Sequence, residues 1–227
     1  MHPNPHPLPK PVLVVPACRL GDTGRYGVGV REVVEKRSYS GDDWWGEDLA
    51  DRGFVKCRFA DVDLTEVTTH GALFEECEFF NVRFNASRHD DSALVRCAFR
   101  RCNFFDTEWA GCKLIGSTFH ECDLRPMTVT GGDWSFVGLG GADLRTVVFR
   151  GVRMREADLT GADLTEAVLT ELDLSGAALA KSKLIKADLR GSDLSTLDPR
   201  TCDITGAIIY PDQAAVIARA IGFTVAA

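Results

Sequence analysis

From Phe54 to Ile209 a hydrophobic residue returns at every fifth position, without a single insertion. Of the 32 positions in that register, 29 hold Leu, Ile, Val, Met, Phe or Trp; the exceptions are Thr69, His89 and Pro199. Two residues before each of these centres, 28 of the 32 positions hold Ala, Cys, Ser, Thr, Val or Gly. Composition does not explain this, because only 45% of the chain is hydrophobic even when Ala, Tyr and Cys are counted. Neither regular element keeps such time. A helix would turn each centre about 140° from the last, so no apolar stripe forms. A flat strand would send alternate centres to opposite faces. A period of five stays on one side only if the backbone bends once in every repeat. Four bends close a square coil of twenty residues, with the centre and the residue two before it both pointing inward.

The pattern therefore predicts an all-β solenoid of about eight coils, since internal repeats outrank other evidence where they occur. Positions twenty apart form ladders. One side reads Phe54, Phe74, Leu94, Leu114, Trp134, Met154, Leu174, Leu194, and the next starts Phe59, Phe79, Phe99, Phe119. The third runs from Leu64 to Ile204. The fourth is polar where it begins, at Thr69 and His89. Residues 41–209 are assigned to this solenoid. Residues 1–40 read as a Pro/Gly-rich extension or a cap on the first coil, because alternating prolines forbid a helix there. The strand–glycine–helix look of residues 12–37 lacks both the βαβ unit and the Lys-Ser/Thr grip of a nucleotide site. Residues 210–227 read as a short helix opened by Pro211 and stopped by Gly222, followed by a terminal segment. Its apolar groups Tyr210, Ile217, Ile221 and Phe223 lie beyond the last full coil, where a second copy of the chain would cover them. They are the expected homodimer interface.

The cysteines change the picture little. Seven of the eight (Cys57, Cys77, Cys97, Cys102, Cys112, Cys122 and Cys202) fall in the small inward slot. Coils about 4.8 Å apart hold such side chains too far apart for disulfides, whose Cβ spacing averages about 3.8 Å. They read as small reduced hydrophobes, which fits the cytoplasm. No stretch has the length of a membrane span or the layout of a signal peptide. The five histidines show no metal-ligand spacing, and His89 in an inward slot reads as a hydrogen-bonded core residue. No nucleophile–base constellation stands out. The sequence reads as a binding protein without cofactor or metal, and not as an enzyme.

Charge narrows the partner. With 33 acidic against 26 basic residues the net charge is −7, which argues against direct binding of nucleic acid. Aspartate recurs one place before the centres, in an outward position. On the third side Asp123, Asp143 and Asp163 stack in consecutive coils as a ladder of like charge. Solubility and turn hydrogen bonding explain aspartate there; a surface patterned like a phosphate backbone is the sharper reading, and these three are its candidate partner-binding residues.

The repeats ADLTG, ADLTE, ADLRG and SDLST resemble the A-(D/N)-L-x-x consensus of the pentapeptide repeat family, over about 70% of the chain. That resemblance implies a right-handed quadrilateral β-helix. Fold alone does not give function. Narrower likenesses, in FEECEF, FHECDLRPMTV, VGLGGADLR, READLTGADL, the LDPRT turn and the ending PDQAAVIARAIGFTV, are similar to the MfpA-type members and more distantly to the Qnr members. Even the polar slots lie in passages, LTEVTTHGALF and FNASRHDDSALV, that look like this subgroup. What the subgroup implies is a dimer joined through its C-terminal ends. It also implies binding to DNA gyrase, with topoisomerase IV as a second target, by imitation of duplex DNA, and protection against fluoroquinolones or another poison. The chain lacks the loop insertions of the Qnr members, which fits a plain inhibitor or an unlooped protector. A structural rod for an unrelated protein, or a self-resistance factor beside a poison-producing gene cluster, are the alternatives.

Overall fold

The computed structural model describes residues 29, 30 and 32–226. They form an all-parallel β-solenoid with one helix, Pro211–Ala220, at the C-terminal end. Every backbone pairing steps by twenty residues, from Glu32↔Arg52 at the start to Asp188↔Ile208 at the end. Three sides carry strands. Arg52–Val55, Leu73–Glu75 and Ala93–Val95 stack on the first, Arg58–Ala60, Glu78–Phe80, Ala98–Arg100 and Thr118–His120 on the second, and Thr68–His70 through Val168–Thr170 on the fourth. The third side is held by single bridges such as Asp63↔Arg83 and Asp143↔Asp163.

The bend that the period demands is visible in the backbone. Two places after almost every centre the chain enters the left-handed region, as at Lys56 (φ 54), Asp61 (φ 55), Glu66 (φ 57) and Gly71 (φ 63). Twenty of these left-handed residues are not glycine, although the conformation costs an L-residue roughly 1–2 kcal/mol. Burial of the centres outweighs that cost. Phe59, Phe79 and Phe99 lie in one ladder with ring centroids 4.8 Å apart and nearly parallel planes. Between neighbouring sides the rings meet edge-on, as Phe99 does with Phe104 at 5.4 Å. The later coils replace these rings with leucine, and the core there leaves a cavity of only about 10 Å3, at the lower limit of what one water needs.

The stack starts earlier than the sequence pattern suggests. Strands Glu32–Glu35 and Ser38–Ser40, assigned above to an extension, pair in parallel with Arg52–Val55 and Arg58–Ala60. Tyr39 lies flat on Phe59 at 5.0 Å, and Trp44 and Leu49 are buried in the same register. This coil escapes the pattern because its small inward slots hold Glu32, Arg37, Asp42 and Glu47. At the end of a stack these slots are half-buried, so charge is tolerated there. Residues 1–28, with Cys18, lie outside the described residues.

The inward cysteines and hydroxyls share one task. The Cys77 thiol donates to the Phe54 carbonyl (3.2 Å), the Thr107 hydroxyl to Phe84 (2.9 Å) and the Ser117 hydroxyl to Leu94 (2.7 Å). Each acceptor is a centre residue of the coil below, on the preceding side. Burial pushes the Cys77 thiol well up, and that of Cys112 up to about 12, which keeps them protonated and unreactive.

The polar centres on the fourth side form one chain of hydrogen bonds. Thr69 Oγ1 lies 3.0 Å from His89 Nδ1, and His89 Nε2 lies 2.9 Å from Ser87 Oγ. Ser87 donates its only proton to the Phe84 carbonyl (2.7 Å), so His89 must donate through Nε2 and accept at Nδ1 from Thr69. Ser92 Oγ, 2.9 Å from Thr69 Oγ1, completes the chain. His89 is thus held neutral, its ring 4.0 Å from Trp109. Burial, reinforced by Arg88, lowers its pKa to about 3.

Two predictions follow from this packing. Between the unfolded pKa near 6.5 and the folded value of about 3, only the unfolded chain binds the proton. Stability attributable to His89 is therefore complete above pH 6.5 and falls with acid, at up to about 1.4 kcal/mol per pH unit. Denaturant unfolding at pH 6.5, 5.5 and 4.5 should show that slope in the wild type and a markedly shallower one in His89→Leu, where only the lowered carboxylates such as Asp143 and Asp163 still respond. Gly132, at φ +87 in an inward slot, would place a Cβ 2.1 Å from the Cys112 carbonyl oxygen. Gly132→Ala should cost about 2 kcal/mol or more, read as a fall in Tm.

Candidate functional site

The third side carries the acidic ladder, and its geometry is more constrained than free charge. Asp143 and Asp163 are bridge partners in adjacent coils, while Asp123 bridges to Asn103 below it. Each carboxylate folds back on its own turn. Asp163 Oδ1 accepts from the Thr165 amide (3.2 Å) and hydroxyl (2.7 Å), and Asp143 Oδ1 accepts from the Arg145 amide (3.3 Å). Asp123 makes the same turn at 3.4 Å. This is the local reason for aspartate one place before the centre: a short acceptor caps the bend.

The ladder is also partly neutralised. Asp143 is gripped by Arg125 and Arg145, both at 2.8 Å, and Asp163 by Lys183 at 3.2 Å. The Arg145 guanidinium is the main reason that the Asp143 carboxyl sits below the usual range. Burial alone would raise Asp163, but its bonds to Thr165 and Lys183 hold it low. Such exposed pairs add about 1 kcal/mol or less to stability, yet they change what a partner meets. Similar pairs, Asp63 with Arg83 and Asp133 with Arg153, recur along the rod.

The fourth side shows further acid, at Asp48 and Glu108 directly before a centre and at Asp90 and Asp91 after one. Asp48, Asp90, Asp91 and Glu108 are exposed along its first coils, with Arg88 reaching Glu108 at 3.3 Å and Asp106 at 3.5 Å. Asp90 and Asp91 fall one and two places after a centre. The residues twenty away from them are His70 and Ala110, and Gly71 and Gly111, so no stacking of acid in the sequence signals them.

The C-terminal end is closed by the helix through one residue. Gln213, buried against the last coil, uses its whole amide. Nε2 donates to the carbonyls of Leu189 (2.8 Å) and Ser192 (2.7 Å), and Oε1 accepts from the amides of Gly191 (3.2 Å) and Tyr210 (2.8 Å). Four polar groups at the open end of the stack are thereby satisfied, which explains a glutamine inside an apolar helix. Of the apolar groups expected to face a second copy, Tyr210, Ile221 and Phe223 are 48%, 44% and 66% exposed. Ile217 instead packs against the core. Ile208, 50% exposed on the last coil, belongs with the exposed set; sequence reading passed over it because it precedes the final centre.

No group of three or more His, Cys, Asp or Glu able to hold a metal occurs among the described residues, and no helix there is long and apolar enough to cross a membrane. His120 and Cys122 do not converge with a third group on any cavity.

Comparison with known proteins agrees with this geometry. The family model for the pentapeptide repeat region matches residues 102–179. The chain is 40% identical over 87 residues to pentapeptide repeat protein MfpA of Mycobacterium tuberculosis, covering 38% of this chain and 48% of that protein. It is 40% identical over 52 residues to MfpA of Mycolicibacterium smegmatis, covering 23% and 27%. The chain thus spans about half the length, or less, of these curated relatives. Full-length QnrB1, a plasmid-mediated fluoroquinolone resistance protein, superposes with a TM-score of 0.64 at 18% identity, over 85% of this chain and all of QnrB1. A trypsin-treated QnrB1 variant gives 0.61 at 20% identity, over 86% and 97%. At that identity the likeness speaks for fold, and it confirms the right-handed quadrilateral β-helix. Coil geometry, the repeat match over residues 102–179 and the 40% identity over 87 residues agree in one respect: the chain is similar to pentapeptide repeat proteins of the MfpA kind.

Proposed function

We propose that the protein binds DNA gyrase in the cytoplasm, in the place of duplex DNA, and thereby inhibits the enzyme or protects it from fluoroquinolones. The observation that carries this reading is the 40% identity with MfpA, on a rod whose third and fourth sides are the acidic ones. Asp123, Asp143 and Asp163 on the third side are the contact residues of this proposal. The fourth-side acids Asp90, Asp91 and Glu108 form its second edge. Two copies joined at their C-terminal ends through Tyr210, Ile208, Ile221 and Phe223 would double the length of the rod.

A supercoiling assay with purified gyrase, with and without a quinolone, tests the proposal. Added protein should slow supercoiling, and in the presence of drug it should reduce cleaved DNA. No effect on either reaction would leave a rod for an unrelated partner. The triple variant Asp123→Asn, Asp143→Asn, Asp163→Asn keeps an acceptor for each turn, so its Tm should stay close to wild type. It should nonetheless inhibit several-fold more weakly at 0.1 M salt, where the Debye length is about 10 Å. Wild-type potency in that variant would move the contact to the fourth side.

The dimer is tested separately. Ile221→Asp with Phe223→Asp places charge on exposed groups and leaves the core-packed Ile217 intact. Sedimentation should give a dimer for the wild type and a monomer for the variant, with the β-rich circular dichroism unchanged. A dimeric variant would place the interface elsewhere.

A further inference from the structure

Phe136 departs from its surroundings in two ways. Its ring is 54% exposed, and its backbone takes the left-handed bend at φ 60, which a bulky residue adopts only against strain. Folding gains little from that ring. Among the described residues no other ring and no guanidinium lies against it, whereas Phe80, also exposed, has Arg101 over it at 6.0 Å. The bend asks only for a residue that tolerates positive φ, and Gly116, one coil below in the same column, supplies that at φ 66 without strain. Strain and exposure kept together in one residue point to a role outside packing.

The surface beside Phe136 is bare. The outward positions that follow it are Gly138, Gly140 and Gly141, so the second side carries no outward side chain in this coil. Of the three, only Gly141 has a positive φ. A Cβ on Gly140 would first meet the Asp158 carboxylate (3.0 Å), which is free to turn away. Glycine that the backbone does not demand marks a close approach by another chain. The main chain here is open to one. The second-side sheet ends at Thr118–His120, and single bridges, Thr118↔Gly138 and Gly138↔Asp158, continue the stack. Elsewhere the amide in the place of Gly140 meets an aspartate two residues back, as Thr160 does with Asp158 (3.0 Å); here that residue is Gly138. In the coil below, the His120 carbonyl accepts from the Arg101 amide (3.0 Å). Among the described residues neither the N–H nor the C=O of Gly140 has a partner. In the coil above, Glu156 stands over Phe136 and Asp158 over Gly138, both exposed. Neither has a cation at ion-pair distance among the described residues, unlike Asp143 and Asp163 on the third side.

We propose that this part of the second side is a contact surface for an extended, arginine-bearing segment of a partner protein. The guanidinium lies over the Phe136 ring and pairs with Glu156 or Asp158. The main chain of the segment reaches the Gly140 N–H and C=O across the glycine floor. Charge selects this occupant, because a phosphate backbone would face two uncompensated carboxylates. The contact is separate from the acids of the third and fourth sides, and it does not depend on which enzyme supplies the segment.

Titration of the blocked peptide Gly-Arg-Gly-Arg-Gly into the nitrogen-labelled full-length protein tests the surface. Amide shifts should move at Gly116, at Phe136 to Gly141 and at Glu156 to Asp158. Absent shifts, or shifts scattered evenly over all the acidic residues, would overturn the proposal. Phe136→Gly removes the strain, so its Tm should stay level or rise while the peptide binds about threefold or more weakly. A lower Tm would make Phe136 a packing residue and end the argument. Gly140→Val keeps an ordinary backbone angle but fills the floor; its Tm should match the wild type and the shift changes should be lost. Wild-type affinity in both variants would count against the surface as decisively. If a short DNA duplex, or a rise in protein concentration alone, moved the same amides, the surface would belong to nucleic acid or to a second copy, and the proposal would fall.

Discussion

A left-handed residue once in every five is the constraint on which this molecule rests. Only that bend turns a run of short extended segments into a square and keeps all centres on the inside. Glycine would satisfy it without strain, but among the described residues only twelve bends use it; sixteen use Glu, Asp, Lys or Arg, and even Phe136 (φ 60) and Thr146 (φ 62) take it. A conformation that costs a bulky or β-branched residue so much persists only where neighbours over-determine it. The neighbours are the coils above and below. Bends are clamped by backbone bonds to the next coil, such as that from the Glu66 amide to Asn85, nineteen residues on (2.8 Å), and each centre is stacked on the centres of the neighbouring coils. Strain within a coil and burial between coils are thus parts of one arrangement, and neither stands without the other. This follows the general rule that solenoid repeats are stable only in company.

The fold was legible because this arrangement writes itself into the sequence. Two inward slots in five must be apolar or small, and no insertion interrupts the register from Phe54 to Ile209. Where the chain departs from that rule, legibility falls. The coil from Glu32 was hidden because the inward slots of an end coil face partly to water, where Arg37 and Asp42 are tolerated. Thr69 and His89 looked like gaps in the fourth ladder, yet they are joined to each other and to Ser87 and Ser92 by a complete set of hydrogen bonds. A slot rule sees one residue at a time; satisfaction of polar groups twenty residues apart lies beyond it. The same limit applies to the acidic ladder. Sequence placed Asp143 and Asp163 in adjacent coils but did not show that Arg125, Arg145 and Lys183 lean onto them. At the C-terminal end the helix was legible from Pro211 and Gly222. The part played by Gln213 was not, because its four partners are defined only once the last coil is in place.

Paired carboxylates bear on how such a rod can resemble duplex DNA. Duplex DNA carries one negative charge per about 1.7 Å of axis, or about three for each coil rise near 4.8 Å. The whole chain nets −7, and many of its outward acids are matched by arginine or lysine. If the proposed mimicry holds, total charge therefore cannot be its basis. What the rod offers is a fixed diameter, a regular rise and carboxylates that cannot wander. Asp163 and Asp143 are pinned by their own turns before any partner arrives, so little side-chain entropy remains to be lost on binding. For the proposed gyrase contact, this shifts the source of affinity from counterion release to preorganised shape. Binding should then lose strength with salt more gently than duplex DNA does, whose slope grows with every phosphate neutralised. Arginines beside the aspartates fit that view. They lower the cost of stacking like charges at coil spacing, and by holding each carboxylate in one place they give a basic partner a defined target in place of a diffuse field.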